Sequence, residues 1–130
     1  MNKKALQVVT LILALVPTLT GIVGLMGLDD PIYGQHSGNG NEILDSNLRF
    51  FSGLWLGIGI TLFFIIKRID APLQSQVFRM VWGCIFLGGV GRLLSMFFAG
   101  PPPLPFVGFT LLEILGAPFF IYWQKKIAAK

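Results

Sequence analysis

VFRMVWGCIFLGGVGRLLSMFFA, residues 77–99, decides the fold. It is an unbroken apolar run with Arg79 at its start and Arg92 deep inside it. As a helix rising about 1.5 Å per residue, it is long enough to cross the roughly 30 Å hydrocarbon core of a bilayer. Three similar runs accompany it: Ala5–Leu28, Leu48–Ile66 and Pro105–Trp123. Backbone polar groups in lipid must be satisfied within their own segment or in a closed barrel. A barrel needs polar–apolar alternation, and stretches such as ITLFFII (60–66) have none, so the runs read as helices. Only 12% of the 130 residues are charged, against about 25% in soluble domains. The fold class is therefore an all-α integral membrane protein, a four-transmembrane-helix bundle. It reads as a single domain over 1–130, with helices at about 5–28, 46–66, 76–99 and 105–124 and an external link at 29–45.

Lys3 and Lys4 ahead of the first run imitate a secretory signal, but the run is long, contains Pro17 and Thr18, and no A-x-A site follows. It reads as a retained helix. Cys84 is the single cysteine, which excludes a disulfide framework, a C-x-x-C pair and a cysteine-rich zinc site.

Charge gives the orientation. If the helices alternate, Lys3, Lys4, Lys67, Arg68, Arg79, Lys125, Lys126 and Lys130 share one side, and the other two links hold no Lys or Arg. The positive-inside rule then puts both termini in the cytoplasm. The link DDPIYGQHSGNGNEILDSN (29–47) is acidic and rich in turn residues. Asp45-Ser46-Asn47 offers N-caps for the second helix. Ile32, Tyr33, Ile43 and Leu44 predict that the link lies down on the bundle. Asp29, Asp30, His36, Glu42 and Asp45 match no metal-ligand spacing, so the link reads as solvated, with no metal and no cofactor. PPPLP (101–105) is a stiff turn that places Pro105 in the first turn of the fourth helix. Pro17 and Pro118 lie inside helices and are expected to bend them.

Small residues predict close packing. Gly53-x-x-x-Gly57, with Ser52 and Gly59 beside it, faces helix 3 and its Gly83, Gly88, Gly89 and Gly91 in this reading, and helix 1 carries Gly21, Gly24 and Gly27. Trp82, Tyr122 and Trp123 are placed as an aromatic belt near the cytoplasmic ends.

Arg92 demands a partner. An isolated charge at a helix centre in lipid costs roughly 2.5–3.5 kcal/mol or more. Arg92 lies about 9 Å below the external end of helix 3, and Glu113 about 12 Å below that of helix 4. The two are level, so an Arg92–Glu113 contact is expected, with Arg49 close by. Asp45 and Arg49 are spaced i,i+4 and can pair along helix 2. Two arginines against one membrane carboxylate leave a positive surplus unless Asp45 turns in. Asn47, Ser95, Thr110, Thr18 and Thr20 occupy the same outer half.

DSNLRFFSGLWLGIG (45–59), FLGGVGRLLS (86–95) and LEILGAP (112–118) carry a likeness. Together they resemble the bacterial domain-of-unknown-function family 4345, small four-helix inner-membrane proteins. The resemblance covers nearly the whole chain and includes Asp45, Asn47, Arg49, Arg92 and Glu113 in order. It implies the fold and a shared set of polar positions, but no activity. A looser likeness is to DoxX-like four-helix proteins, some of which are accessory subunits of membrane complexes.

Three functions compete. The first is a small binding or accessory protein whose outer polar layer (Asp45, Asn47, Arg49, Arg92, Ser95 and Glu113) holds the anionic or polar head of a membrane lipid or other amphiphile. Its Gly- and Phe-rich inner half would hold the tail, in a homodimer or a larger membrane complex. The second is a small transporter using Arg92 and Glu113 for ion or proton coupling. The third, an enzyme, finds no catalytic constellation: the one His is in a link and the one Cys stands alone. The net charge of +4 is explained by orientation, not by a nucleic-acid partner.

Overall fold

A computed structural model of the chain describes residues 2–29, 31 and 42–129. Every regular element among them is helical. Helix α1 spans Lys3–Gly24, α2 Glu42–Ile65, α3 Pro72–Ala99 and α4 Leu104–Ala128. Short 3-10 turns at Gly27–Asp29 and Ile66–Arg68 follow α1 and α2. The four helices are each long and apolar enough to cross a membrane. By its internal contacts the chain divides into two compact units, Val8–Ile66 and Met1–Gln7 with Lys67–Lys130.

In the first unit α1 and α2 run antiparallel and touch through backbone. A Cβ on Gly21 would stand 2.7 Å from the amide nitrogen of Leu56, and one on Gly24 would strike the Ser52 hydroxyl. Gly59 is closed in by Thr18 and by the Ala14 carbonyl. Trp55 Nε1 donates to Thr20 Oγ1 at 2.9 Å. Small residues named from the sequence set this contact, whereas the Gly53–Gly57 pair, expected to pack on helix 3, makes no close approach. Gly57 has open space around its Cβ position and Gly53 meets only Leu25 Cδ2 at 3.9 Å. The contact face of α2 is Ser52–Leu56–Gly59, about 100° round the helix from Gly53 and Gly57. Gly27, at φ +72°, takes a left-handed conformation that ends this stretch.

In the second unit α3 buries Phe78, Val81, Trp82, Ile85 and Gly89, and α4 buries Ala117, Phe120, Gln124 and Ile127. Trp82 stacks on Phe120 with centroids 4.5 Å apart. Trp82 is thus a core residue and not part of an interfacial belt: its ring is only 3% exposed at the residue level. Below it, Gln124 Nε2 donates to the Ile69 carbonyl at 3.0 Å and to Ser75 Oγ. Lys3 Nζ reaches Asp70 Oδ2 at 2.7 Å and fixes the start of α1 to this unit.

The helix bounds shift from those expected. Helix α1 begins at Lys3 and stops at Gly24, and α3 begins at Pro72, a proline in its first turn. Helix α4 begins at Leu104 with Pro105 in its first turn, as the Pro-rich link requires, and runs on to Ala128. Helix α2 begins at Glu42, so Asp45-Ser46-Asn47 lies inside it rather than capping it. Ile43 and Leu44 are exposed residues of its first turns, not anchors of a link. Ile32, Tyr33, Asp30 and His36 lie outside the described residues, among which no group of three His, Cys, Asp or Glu side chains could hold a metal.

Large apolar side chains stand exposed on every helix, among them Leu19, Phe64, Phe97, Leu104 and Phe119. A water-soluble domain rarely exposes so much contiguous apolar surface. The hydroxyls of Thr18, Thr20, Thr61 and Thr110 each donate to the carbonyl four residues back. This internal satisfaction is the solution a lipid-facing helix needs.

Candidate functional site

Glu113 sits where α4 leaves regular α-helical geometry. Residues Leu112–Gly116 form a π-helical turn between the α-helical stretches Leu104–Leu111 and Ala117–Ala128. Pro118 follows directly. It lacks an N–H for the Ile114 carbonyl and its ring would crowd that oxygen, so the ladder must widen just above it. The bend expected at Pro118 thus takes the form of this turn, which points Glu113 inward toward α3. Gly89 makes the room: a Cβ there would lie 2.7 Å from the Cβ of Glu113.

Arg92 answers Glu113 across the α3–α4 contact. Its Nε donates to Oε1 at 3.3 Å and lies 3.0 Å from Oε2. The ion pair is real but loosely aligned: Oε2, for all its closeness, accepts no well-directed hydrogen bond among the described residues. The partners are unequally buried, with side-chain exposure of 37% for Arg92 and 9% for Glu113. Arg92 Cζ also stands 5.9 Å from the ring centre of Phe106, within cation–π range. The guanidinium therefore meets Glu113 through Nε alone. Among the described residues its terminal nitrogens Nη1 and Nη2 have no hydrogen-bond partner.

Arg49 is arranged differently. Its Nε donates to Asp45 Oδ2 at 2.7 Å and its Nη2 to Asp45 Oδ1 at 3.2 Å, while Nη1 donates to the Leu25 carbonyl at 2.8 Å. Asp45 Oδ1 also accepts the Leu28 N–H at 2.9 Å. Both side chains thus tie the start of α2 to the end of α1. Asp45 turns in, so each arginine has its own carboxylate and the expected positive surplus is absent. Asn47 is exposed and, two residues from Asp45, points off this cluster. Ser95 is exposed one turn above Arg92.

Of the six polar positions read from sequence, the structure pairs Arg92 with Glu113 in one unit and Asp45 with Arg49 in the other. Phe106 was missed, and Gly89 was read as a packing residue toward helix 2 rather than as the room for Glu113. Phe106 lies seven residues before Glu113, two turns up the same helix face, and that spacing was its available signal.

The comparisons bear on this set of residues. The sequence pattern of a family described as a domain of unknown function, DUF4345, matches residues 5–124. The chain belongs to that family. The match runs from the first turn of α1 to Gln124 and so includes the Asp45–Arg49 and Arg92–Glu113 pairs of this DUF4345 protein. No curated protein and no solved structure matches the chain.

Proposed function

We propose that this DUF4345 protein is a bacterial inner-membrane protein, with both termini in the cytoplasm, that binds the polar or anionic head group of a membrane amphiphile at Arg92. The supporting observation is the half-exposed guanidinium with Nη1 and Nη2 free of described partners. Two parallel N–H donors match two oxygens of a phosphate or carboxylate. Glu113, buried behind, holds the guanidinium in place through Nε and offsets the cost of its charge in lipid. What the site offers an anion is unfilled donor capacity, not net charge.

Thermal stability in mild detergent tests this with defined probes, oleate and dioleoyl phosphatidic acid. A ligand bound only to the folded state at a hundred times its Kd stabilises by about 2.7 kcal/mol. The melting temperature of the wild type should rise with either probe, and that of Arg92→Leu should not. An equal rise in both proteins contradicts the reading.

One observation favours a second reading, ion or proton coupling: a buried carboxylate on a π-helical turn, a feature frequent at functional sites. It requires proton-coupled uptake in proteoliposomes that Glu113→Gln abolishes.

A further inference from the structure

A second feature of the α3–α4 unit lies toward the other end of these helices. Gly83 and Phe86 of α3 and Pro118, Ile121, Tyr122 and Lys125 of α4 line an open groove of about 360 Å³. Its walls are mostly apolar along the two turns of α4 it follows, and Lys125 supplies the charge at its lower end. Arg79 stands one turn below Gly83 on the same face of α3 (79, 83, 86), so a second cation flanks that end. Among its described residues the unit has two side-chain carboxylates, and both are engaged: Asp70 by Lys3 and Glu113 by Arg92. Among the described residues neither Arg79 nor Lys125 has an ion-pair partner.

We infer that this groove seats one acyl chain of an anionic glycerophospholipid, with the lipid phosphate held between Arg79 and Lys125. The groove exists because Gly83 has no side chain: a Cβ there meets nothing within 4 Å. A chain laid past Phe86 and Ile121 buries apolar surface that the helices leave uncovered. Two unpaired cations at the membrane–water boundary attract an anionic head. The Tyr122 ring, with Lys126 Nζ 5.5 Å from its centre, extends the positive rim. The site rests on the membrane reading of the four helices but not on the Arg92 site, which faces the opposite end of the unit.

Native mass spectrometry of the full chain in mild detergent, titrated with dioleoyl phosphatidylglycerol or dioleoyl phosphatidylcholine, tests the inference. One phosphatidylglycerol is expected to bind ahead of the rest, and ahead of phosphatidylcholine. The double variant Arg79→Gln/Lys125→Gln should weaken that first event about 30-fold, from two near-surface charges. Gly83→Phe fills the groove from a position with open space and should remove the event in a protein of unchanged melting temperature. Arg92→Leu should leave it intact. Equal binding of the two lipids, or retention in Gly83→Phe, overturns the groove site. Loss in Arg92→Leu but not in the groove variants assigns the lipid to Arg92 instead.

Discussion

Arg49 commits all three of its nitrogens to protein oxygens, whereas Arg92 commits one. That difference separates an arginine that fastens two helices from one whose remaining donors are available to the proposed ligand. Arg92 and Glu113 are a pair, so removing either alone leaves the other's charge without its partner. Arg92→Leu and Glu113→Gln should each destabilise the protein in detergent more than the double variant does. A double-mutant cycle should give a coupling of about 0.5–3 kcal/mol, and additivity would remove the pair from the account. The pair was legible because the helical rise is fixed, so residue counts give depth. Phe106 and the spare Nη donors were not, because they depend on which way each helix is rotated. Outside the spans, the Lys3 ammonium beside Asp70 holds that carboxyl below the usual carboxylate range, helped by a backbone hydrogen bond. Its stabilising effect is therefore fully present above about pH 4 and is lost as pH falls through the lowered value. Asp70→Asn should lower the melting temperature slightly at pH 7 and leave it unchanged near pH 2.

At the scale of the elements, small residues decide how α1 and α2 meet. Gly21→Leu drives a side chain into the Leu56 backbone and should cost about 1–3 kcal/mol by overpacking. Gly57→Leu adds the same atoms into open space and should change stability by less than about 0.5 kcal/mol. Thermal unfolding of both variants in detergent separates the two faces, and the reverse ranking would contradict this packing. The sequence offered both faces, Gly53–Gly57 at i,i+4 and Ser52–Gly59 at i,i+7, with nothing in composition to rank them. The π-helical turn was equally hidden. Pro118 announces a disturbance, but whether the ladder kinks or widens depends on the room that Gly89 leaves opposite. Helix α2 starts earlier than its apolar run because Glu42–Asn47 is polar yet helical, held by the Asp45–Arg49 pair.

For the whole molecule, four apolar runs separated by polar links made the helix count and fold class readable, since length and hydrophobicity alone set a membrane span. The asymmetry of Lys and Arg supports the proposed orientation. A green fluorescent protein fused after Ala128 should fluoresce, and alkaline phosphatase fused there should be inactive. The opposite pattern would invert the topology and place Arg92 near the cytoplasm. The function was less legible, because a head-group site needs free donors as well as charge, and those appear only once every partner has been placed. The measurement that reaches the central claim most directly is the mass of the protein released intact from its own membrane, beside Arg92→Leu and Glu113→Gln. Beside any lipid retained in the Gly83 groove, the account predicts a discrete amphiphile on the wild type that is lost from Arg92→Leu and weakened in Glu113→Gln. An identical set of masses for all three proteins would contradict it and leave Arg92 and Glu113 as a structural ion pair.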